Sequence, residues 1–384
     1  MRFLHTADWH IGKTLRTRPR LDEFARALDE VAAIAVDQKV DAVLVAGDVF
    51  DSAAPPPEAE RLVYDFLARL PSERIACVLI AGNHDHPRRL GALARLLSSL
   101  HIHVRPEVRP PGQGGVVTLP SRDGTEQAQV AVLPFVPERK VIDACQILEP
   151  EYLWFEGYAR RIEQILGHLT AGFTPATVNV LIAHLLIDGA RVGTGERPLH
   201  LGDIYGVNAQ QIPGNVQYVG LGHLHRPQEI VAPSRTFYSG SLIELDFGER
   251  EQAKSVVIVD ARPGQPASIE FAPLRAGRRL RDVEGTLDDL RLLAPQLGTD
   301  FLRVRVRADG PIPGVVEQVR EFLPHAIDIS VAYEQLPAEP AVARLRQLKP
   351  AELFTDFFRQ KNGAPPPPAL LQLFENVYEE ATHS

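Results

Sequence analysis

Short apolar runs rich in β-branched residues alternate with amphipathic stretches along the first hundred residues of the chain. The runs and the stretches between them follow one another at 3–7, 21–38, 41–48, 58–70, 75–85 and 88–100. In the first amphipathic stretch the apolar side chains recur at the spacing of one helix face. Strand alternating with helix predicts a layered α/β fold whose first strands are parallel and buried.

A carboxylate, an amide or an imidazole stands where each apolar run ends. Seven such side chains follow the runs in order, namely Asp8, His10, Asp48, Asn83, His184, His223 and His225. In open α/β sheets the carboxyl ends of the strands border one crevice, where these side chains are expected to converge. Taken singly, such an aspartate more often closes a turn, and such a histidine is more often a hydrogen-bonded core residue. Independent turns give no reason for the ordered series, which favours a shared metal site.

These seven side chains suit a pair of metal ions. Carboxylate, amide and imidazole groups without a thiolate fit manganese, iron or zinc, and fit a structural zinc site poorly. Seven ligands exceed the need of one tetrahedral ion but suit two ions that share a bridging carboxylate, for which Asp48 is the natural candidate. Two divalent cations outweigh the charges of Asp8 and Asp48, so the centre would attract a phosphate.

Composition narrows the classes of function. A net charge of −8 over 384 residues is the wrong sign for a protein that coats nucleic acid with a basic surface. It permits an enzyme that holds phosphate through metal ions. The two cysteines, Cys77 and Cys145, are expected to be free thiols in a reducing cytoplasm. No signal peptide is expected after Met1, and no apolar stretch reaches the ~18 residues of a membrane span.

Three units are expected along the chain. A large α/β domain would cover 1–261, a small α+β domain 262–335, and a C-terminal helical segment 338–384. The small domain would combine the β-like segments SIEFAPL and DFLRVRVRA with the helix-like segment VVEQVREFL. Within the large domain, the segment 186–206 is rich in glycine, aspartate and arginine and is expected to form a long functional or mobile loop.

Five short motifs at the strand ends resemble those of the calcineurin-like metallophosphoesterases. In chain order they are D-x-H at 8–10, G-D at 47–48, G-N-H-D at 82–85, a lone histidine at 184, and G-H-x-H at 222–225. Flanking stretches such as HTADWHIGKTL, AGDVFDSAAPP and YSGSLIELDFGE narrow the resemblance to the nuclease subunits of bacterial SbcCD complexes. The resemblance implies a layered domain of two sheets flanked by helices, a small α+β capping domain and C-terminal helices.

The same resemblance implies a role for each strand-end residue. One metal would be held by Asp8, His10, Asp48 and His225, and a second by Asp48, Asn83, His184 and His223. His84 would face the scissile phosphate, to stabilise developing charge or to protonate the leaving oxygen. Asp85 would orient or support His84, and capping of the helix at 88–100 is the competing interpretation. The pattern departs at Asp51, where archaeal and eukaryotic relatives carry a second phosphate-facing histidine.

The resemblance further implies a DNA nuclease with two Mn²⁺ ions per chain. Such an enzyme would act as an exonuclease and an endonuclease on DNA ends and hairpins, together with the SbcC ATPase, in DNA repair and recombination. The small domain would guide DNA to the metals, and Arg191 and Arg197 are candidate DNA contacts. Arg303, Arg305 and Arg307 alternate along one strand as a further candidate row, for which a solvated edge strand is the alternative.

Two sets of apolar side chains would serve assembly with partner chains. The helices at 58–70 and 88–100 carry four that in the family pair two nuclease subunits within a heterotetramer, or that pack within the monomer: Leu62, Phe66, Leu93 and Leu97. Two C-terminal helices carry a second set that would dock onto SbcC: Leu345, Leu348, Phe354, Phe357, Phe358, Leu370, Phe374 and Val377.

Two other functions of proteins with this fold are distinguished by whether they need the seven ligands. A phosphatase or a cyclic-nucleotide phosphodiesterase would retain all seven but would not need the capping domain or the amphipathic tail. A non-catalytic scaffold of the same fold would typically have lost metal ligands, and this sequence keeps them.

Overall fold

Three sheets contain nearly all the strands in the computed structural model, which describes residues 1–137, 157–193, 206–310, 312–333, 350–362 and 365–382. The strands are β1 (Arg2–Thr6), β2 (Ala42–Val45), β3 (Ala76–Ile80), β4 (Ile102–Arg105), β5 (Val116–Pro120), β6 (Gln127–Leu133), β7 (Val178–His184), β8 (Leu186–Ile187), β9 (Gly206–Val207), β10 (Tyr218–Gly222), β11 (Gln228–Ile230), β12 (Thr236–Tyr238), β13 (Ser255–Arg262), β14 (Gln265–Pro273), β15 (Leu280–Gly285), β16 (Phe301–Ala308) and β17 (Ala326–Tyr333). The helices are α1 (Leu21–Asp37), α2 (Pro57–Arg69), α3 (Pro87–Leu90), α4 (Ala94–Ser98), α5 (Tyr158–Thr170), α6 (Leu287–Leu293), α7 (Val315–Phe322), α8 (Pro350–Asn362) and α9 (Pro368–Thr382).

Two six-stranded sheets make up the large domain. The first has the strand order β14-β13-β1-β2-β3-β4, and the second β11-β12-β10-β7-β6-β5. Strands β1 to β4 run parallel, with Leu4 opposite Val43, and β6, β7, β10 and β12 are parallel in the second sheet. The parallel arrangement expected for the first strands is confirmed.

The two sheets pack face to face, and helices cover their outer faces. Phe3, Leu44 and Val180 belong to the apolar cluster between the sheets. Leu4, next to Phe3 in the chain, points the other way into a cluster shared with α1 and α2, while α5 covers the second sheet. Because both faces of these strands are buried, their sequences are unbroken apolar runs. The layered α/β fold expected from the sequence is confirmed.

The stretch 88–100 is not one helix, as the sequence suggested. It forms α3 and α4, and Gly91 ends the first of them. A β-carbon on Gly91 would lie 3.0 Å from the ring of Pro106, so the chain turns here at a close contact. The break divides the expected apolar face: Leu97 is buried, whereas Leu93 is 38% exposed.

A three-stranded parallel sheet, β15-β16-β17, forms the small domain together with α6 and α7. Its own apolar core includes Val304, Val306 and Leu290. The segment SIEFAPL was expected here, but it lies in β14, which pairs with β13 at the edge of the first large sheet. The small sheet therefore begins at Leu280 rather than soon after residue 262.

The arginine row Arg303, Arg305 and Arg307 lies on β16, which is the central strand of the small sheet. The expectation of an edge strand is therefore wrong, because β15 and β17 pair with β16 on either side. Each arginine faces a carboxylate of a neighbouring segment, the closest pair being Arg303 Nη2 and Asp282 Oδ2 at 2.6 Å. Their charge is thus partly neutralised within the sheet.

Helices α8 and α9 pack against each other through aromatic rings. Phe354 stacks on Phe374 with a centroid distance of 4.3 Å, and Phe374 in turn stacks on Tyr378. Phe357 and Val377 stay 57% exposed, so the pair leaves part of its apolar surface uncovered.

Some predicted residues lie outside the described part of the chain, namely Cys145, Arg197, Leu345 and Leu348. Within the described part, Cys77 is a buried free thiol. None of the helices described there is both long enough and apolar enough to cross a membrane.

Candidate metal centre

Four of the seven strand-end residues adopt a left-handed backbone. The φ angles are 51° at Asp8, 47° at His10, 51° at Asp48 and 110° at His223. Such a conformation costs about 1–3 kcal/mol at a non-glycine residue and persists where surrounding contacts enforce it. Here the Asp8 amide donates to Gly47 O and the His10 amide to Asp48 O, each at 3.0 Å. The ends of β1 and β2 are thereby tied together, and both turn their polar side chains into one crevice.

Two glycines let these strand ends approach each other closely. Gly47 has φ of 91°, and a β-carbon there would meet His184 Nδ1 at 2.5 Å. A β-carbon on Gly82 would overlap the Asp48 carboxylate. The glycines that precede Asp48 and Asn83 are therefore required by the packing of the backbone around the site.

Asp48 lies at the middle of the cluster and is buried. Its Oδ2 is 3.5 Å from His10 Nε2 and 3.6 Å from His184 Nε2, and its Oδ1 accepts a hydrogen bond from the His84 amide at 2.8 Å. Burial alone would raise the pKa of Asp48, but the nearby imidazoles and the amide lower it below its usual range. One ionised oxygen thus stands almost equidistant from a histidine of each proposed ligand set.

Asp8, His10 and His225 form one side of the cluster, with ligand atoms all within 4.8 Å of one another. The His223 amide donates to both oxygens of Asp8, at 2.9 and 3.1 Å. His10 Nε2 and His225 Nε2 face each other at 3.1 Å. His225 Nδ1 lies 2.7 Å from Glu249 Oε1, so its proton is on Nδ1 and its Nε2 is an acceptor.

Asn83, His184 and His223 form the other side. Asn83 Oδ1 lies 2.9 Å from His223 Nδ1 and 3.0 Å from His184 Nε2. His184 Nδ1 is 2.9 Å from Ala46 O and must donate to that carbonyl, which leaves Nε2 without a proton. An acceptor nitrogen thus faces an acceptor oxygen, and a cation between them would satisfy both.

Three of the four histidines of the cluster, His10, His184 and His223, are held neutral by burial. Burial lowers the pKa of His10 to about 4 and that of His223 to about 3, and it also lowers the pKa of His184. A neutral imidazole is the form that binds a metal ion. The seven donors therefore fit divalent metals of the oxygen- and nitrogen-binding class.

Comparison with known proteins agrees with this geometry. The family model "Calcineurin-like phosphoesterase" matches residues 1–227, and the model "Type 5 capsule protein repressor C-terminal domain" matches 276–362. The SbcD subunit of the nuclease SbcCD from Bacillus subtilis (strain 168) is 34% identical over 97% of each chain. The SbcD subunit from Rhodobacter capsulatus is 32% identical over 93% of this chain and 94% of its own.

The chain belongs to the calcineurin-like phosphoesterases. Within them it is a member of the SbcD group, and it is a metal-dependent phosphoesterase. A dimetal phosphatase from Danio rerio is a distant structural neighbour, with 11% identity, a TM-score of 0.41, and coverage of 71% of this chain and 98% of that one.

His84 stands beside the seven donors of this phosphoesterase. The His84 ring centroid is 4.7 Å from that of His10. A ring nitrogen of His84 lies within 4.8 Å of a ring nitrogen of His10 and of a carboxylate oxygen of Asp48. His84 Nδ1 donates to the Asp51 carbonyl at 2.8 Å, so Nε2 is the nitrogen left for a substrate.

The Asp85 carboxylate makes no hydrogen bond to the His84 ring, and the expectation that Asp85 caps a helix is wrong. Its carboxylate accepts hydrogen bonds from the amides of Val49 at 3.2 Å, Phe50 at 3.0 Å and Gly82 at 2.9 Å. The cap of α3 is His86 instead. Burial, and then the charge of Asp48, raises the pKa of Asp85 to about 7. Asp85 thus supports the site indirectly, because it joins the loops that follow β2 and β3.

Asp51, the position that departs from the archaeal and eukaryotic pattern, also faces the cluster. Its carboxylate lies 3.4 Å from His10 Nδ1 and 3.1 Å from Lys13 Nζ. Burial raises its pKa, but His10 and Lys13 outweigh that effect and lower the pKa to about 2. Asp51 is therefore an ionised neighbour of a candidate ligand as well as the carbonyl partner of His84.

Two residues beside the centre were not predicted. Glu249 holds His225, as described above, and the Phe135 ring stacks on the His223 ring at 6.5 Å and meets the His184 ring edge-on at 6.2 Å. Phe135 follows β6, the neighbour of β7. A search for aromatic as well as polar residues at the strand ends would therefore have found it.

Arg191 is exposed, and its backbone pairs with the side chain of Gln228.

Proposed function

We propose that this chain is a two-metal DNA nuclease that works with an SbcC-type ATPase in DNA repair and recombination. The observation that carries the proposal is the convergence of seven side chains with metal-binding atoms into one cluster, with Asp48 at its middle. The names of the relatives from Bacillus subtilis and Rhodobacter capsulatus add the nuclease activity and the partner. Since the substrate is chromosomal DNA, we assign the protein to the cytoplasm.

The proposed ligand sets follow from which atoms face one another. One Mn²⁺ would be held by Asp8, His10, Asp48 and His225, and the other by Asp48, Asn83, His184 and His223. Asp48 is the proposed bridge, because its Oδ2 lies at nearly the same distance from His10 and from His184. Manganese is favoured over magnesium because four of the seven donors are imidazoles.

Residues of the chain itself position the groups that take part in the reaction. When bound, the two metals supply an activated water and a positive clamp for the phosphoryl oxygens. The Asp51 carbonyl holds His84 by Nδ1, so that Nε2, when it carries a second proton, can stabilise the charged phosphate or give that proton to the leaving oxygen. The Phe135 ring packs beside His184 and His223 at one side of the centre.

DNA and partner contacts are proposed on the surfaces around this centre. The small sheet would guide DNA to the metals, with Arg191 and Arg197, which follow β8 in the sequence, as contacts. The exposed apolar side chains of α8 and α9, such as Phe357 and Val377, would dock onto the ATPase. Leu93, exposed just before α4, and Leu96, exposed within α4, would pair two nuclease subunits.

A cleavage assay tests the proposal directly. The full chain with Mn²⁺ is incubated with double-stranded DNA carrying open or hairpin ends, and in parallel with small phosphate esters. We expect cleavage of the DNA, and we expect Asp48→Ala to abolish it along with Mn²⁺ binding. Glu251→Gln, an exposed carboxylate change, serves as the control and keeps full activity. Hydrolysis of the esters alone would assign the chain to the phosphatases, and a fully active Asp48→Ala variant would refute the two-metal site.

A further inference from the structure

A buried polar network lies behind His225. It consists of Glu249, Lys254 and Ser241, and we call it the Glu249 network. Lys254 Nζ donates to Glu249 Oε2 at 2.7 Å, to Ser241 Oγ at 2.8 Å and to the His225 carbonyl at 3.0 Å. Glu249 is fully buried, as is Ser241, so these polar groups depend on one another rather than on water.

The two oxygens of Glu249 have separate tasks. Oε2 accepts from Lys254, from Ser241 Oγ at 3.1 Å and from the Leu245 amide at 3.1 Å. Oε1 faces His225 Nδ1 at 2.7 Å. With three donors on Oε2, the carboxylate cannot rotate without losing them, so Oε1 stays directed at the imidazole.

The contact decides which nitrogen of His225 carries the proton. A carboxylate offers no hydrogen, so Nδ1 must be the donor and Nε2 must be the acceptor. Nε2 is the nitrogen that lies among the ligand atoms of Asp8 and His10. The other tautomer would direct an N–H at the position of the proposed metal.

We propose that Glu249 is a positioning residue for the metal centre, which holds His225 in the one tautomer and orientation that can bind a metal, with Lys254 and Ser241 fixing the carboxylate. The inference rests on the proposed function, because His225 is one of the proposed ligands. Glu249 lies in the short turn Phe247–Glu249 and outside the five motifs, although the flanking stretch YSGSLIELDFGE ends on it.

The tautomer itself is the first measurement. The protein is labelled with ¹⁵N-histidine and freed of metal with a chelator, and the His225 signals are assigned by their loss in His225→Gln. We expect a protonated Nδ1 and an unprotonated Nε2 in the wild type. A proton on Nε2 would overturn the inference, and this result needs no Glu249 variant to fold.

Glu249→Gln is the second measurement, because it keeps the volume and reverses the hydrogen bond. The donors Lys254 and Leu245 N–H would retain the amide oxygen, so the amide NH₂ would face His225 Nδ1. Nδ1 would then have to accept, and the proton would move to Nε2. We expect the spectrum to report this exchange while the signals of the distant histidines stay in place, which a general loss of structure would not produce.

Mn²⁺ titration of the metal-free proteins by calorimetry completes the test. We expect the wild type and Glu251→Gln to bind two equivalents, and Glu249→Gln to bind one of them about 10- to 100-fold more weakly. Wild-type affinity for both equivalents in Glu249→Gln would overturn the inference. If the wild type binds no divalent metal, the proposed function fails, while the tautomer measurement still decides whether Glu249 orients His225.

Discussion

At the scale of single residues, the site combines ordinary chemistry with strained backbone. Asp8, His10 and Asp48 all have positive φ, and burial lowers the pKa of His10. Neither feature favours stability by itself. Both are what a cation-binding cluster needs, because they aim neutral imidazoles and ionised carboxylates into one small volume.

His84 offers a test of chemistry apart from metal binding. We expect His84→Gln to bind Mn²⁺ as the wild type does but to cleave DNA about 10²- to 10⁴-fold more slowly, because a glutamine cannot transfer a proton. Single-turnover cleavage and calorimetry measure the two properties separately. His86→Gln is the matched control, since His86 is exposed and two residues away. Loss of metal by His84→Gln, or unchanged cleavage, would contradict the assigned role.

At the scale of elements, strand ends meet through backbone contacts that leave no room for side chains. The loops after β2 and β3 are joined by the Asp85 carboxylate, which accepts the amides of Val49, Phe50 and Gly82. Buried amides without an acceptor would cost about 1–3 kcal/mol each, so this carboxylate stabilises both loops at once.

Gly82→Ala tests this packing. The added methyl would overlap the Asp48 side chain and its amide, so we expect the free energy of unfolding to fall by about 1–3 kcal/mol and Mn²⁺ binding to be lost. Urea unfolding and calorimetry measure the two effects. Gly112→Ala is the control, because a β-carbon there meets nothing within 4 Å. Equal stability of the two variants would show that the loops adjust without cost.

At the scale of the whole molecule, one short turn contacts both the small sheet and a histidine of the metal centre. Phe247, which begins the turn that ends in Glu249, lies under Arg303 of β16 at 5.0 Å. Phe301 of the same strand lies between Arg20 and Arg278, at 5.6 and 4.9 Å from its centroid. The small domain is therefore attached to the large domain by arginine–aromatic contacts next to the residue that holds His225.

Acid should destabilise the metal-free protein as a whole. Burial lowers the pKa of His5 and His223 to about 3 and that of His10 to about 4, against 6.5 in the unfolded chain. The unfolded chain therefore binds protons that the folded chain does not, so the free energy of unfolding falls as the pH drops from about 6.5 toward 4. Asp85, whose pKa burial raises to about 7, opposes this trend but is outnumbered by the buried imidazoles.

Urea unfolding in chelator at pH 7 and at pH 5 measures this dependence. We expect lower stability at pH 5, and we expect His5→Gln to reduce the difference between the two values. His101→Gln should leave the difference unchanged, since His101 is exposed. A protein that is equally stable, or more stable, at pH 5 would contradict the prediction.

The sequence by itself determined the layered fold and the strand-end residues that face the crevice. Buried parallel strands must be apolar on both faces, so the polar residue that ends each run stands out, and parallel strands place such residues at one edge. The tertiary structure alone decided what surrounds them. The Asp85 amide contacts, the Glu249 network, the break at Gly91 and the place of β14 in the first sheet all depend on which segments meet in space. A local sequence pattern does not reveal these contacts, because the hydrogen bonds and the close packing join residues that are far apart in the chain.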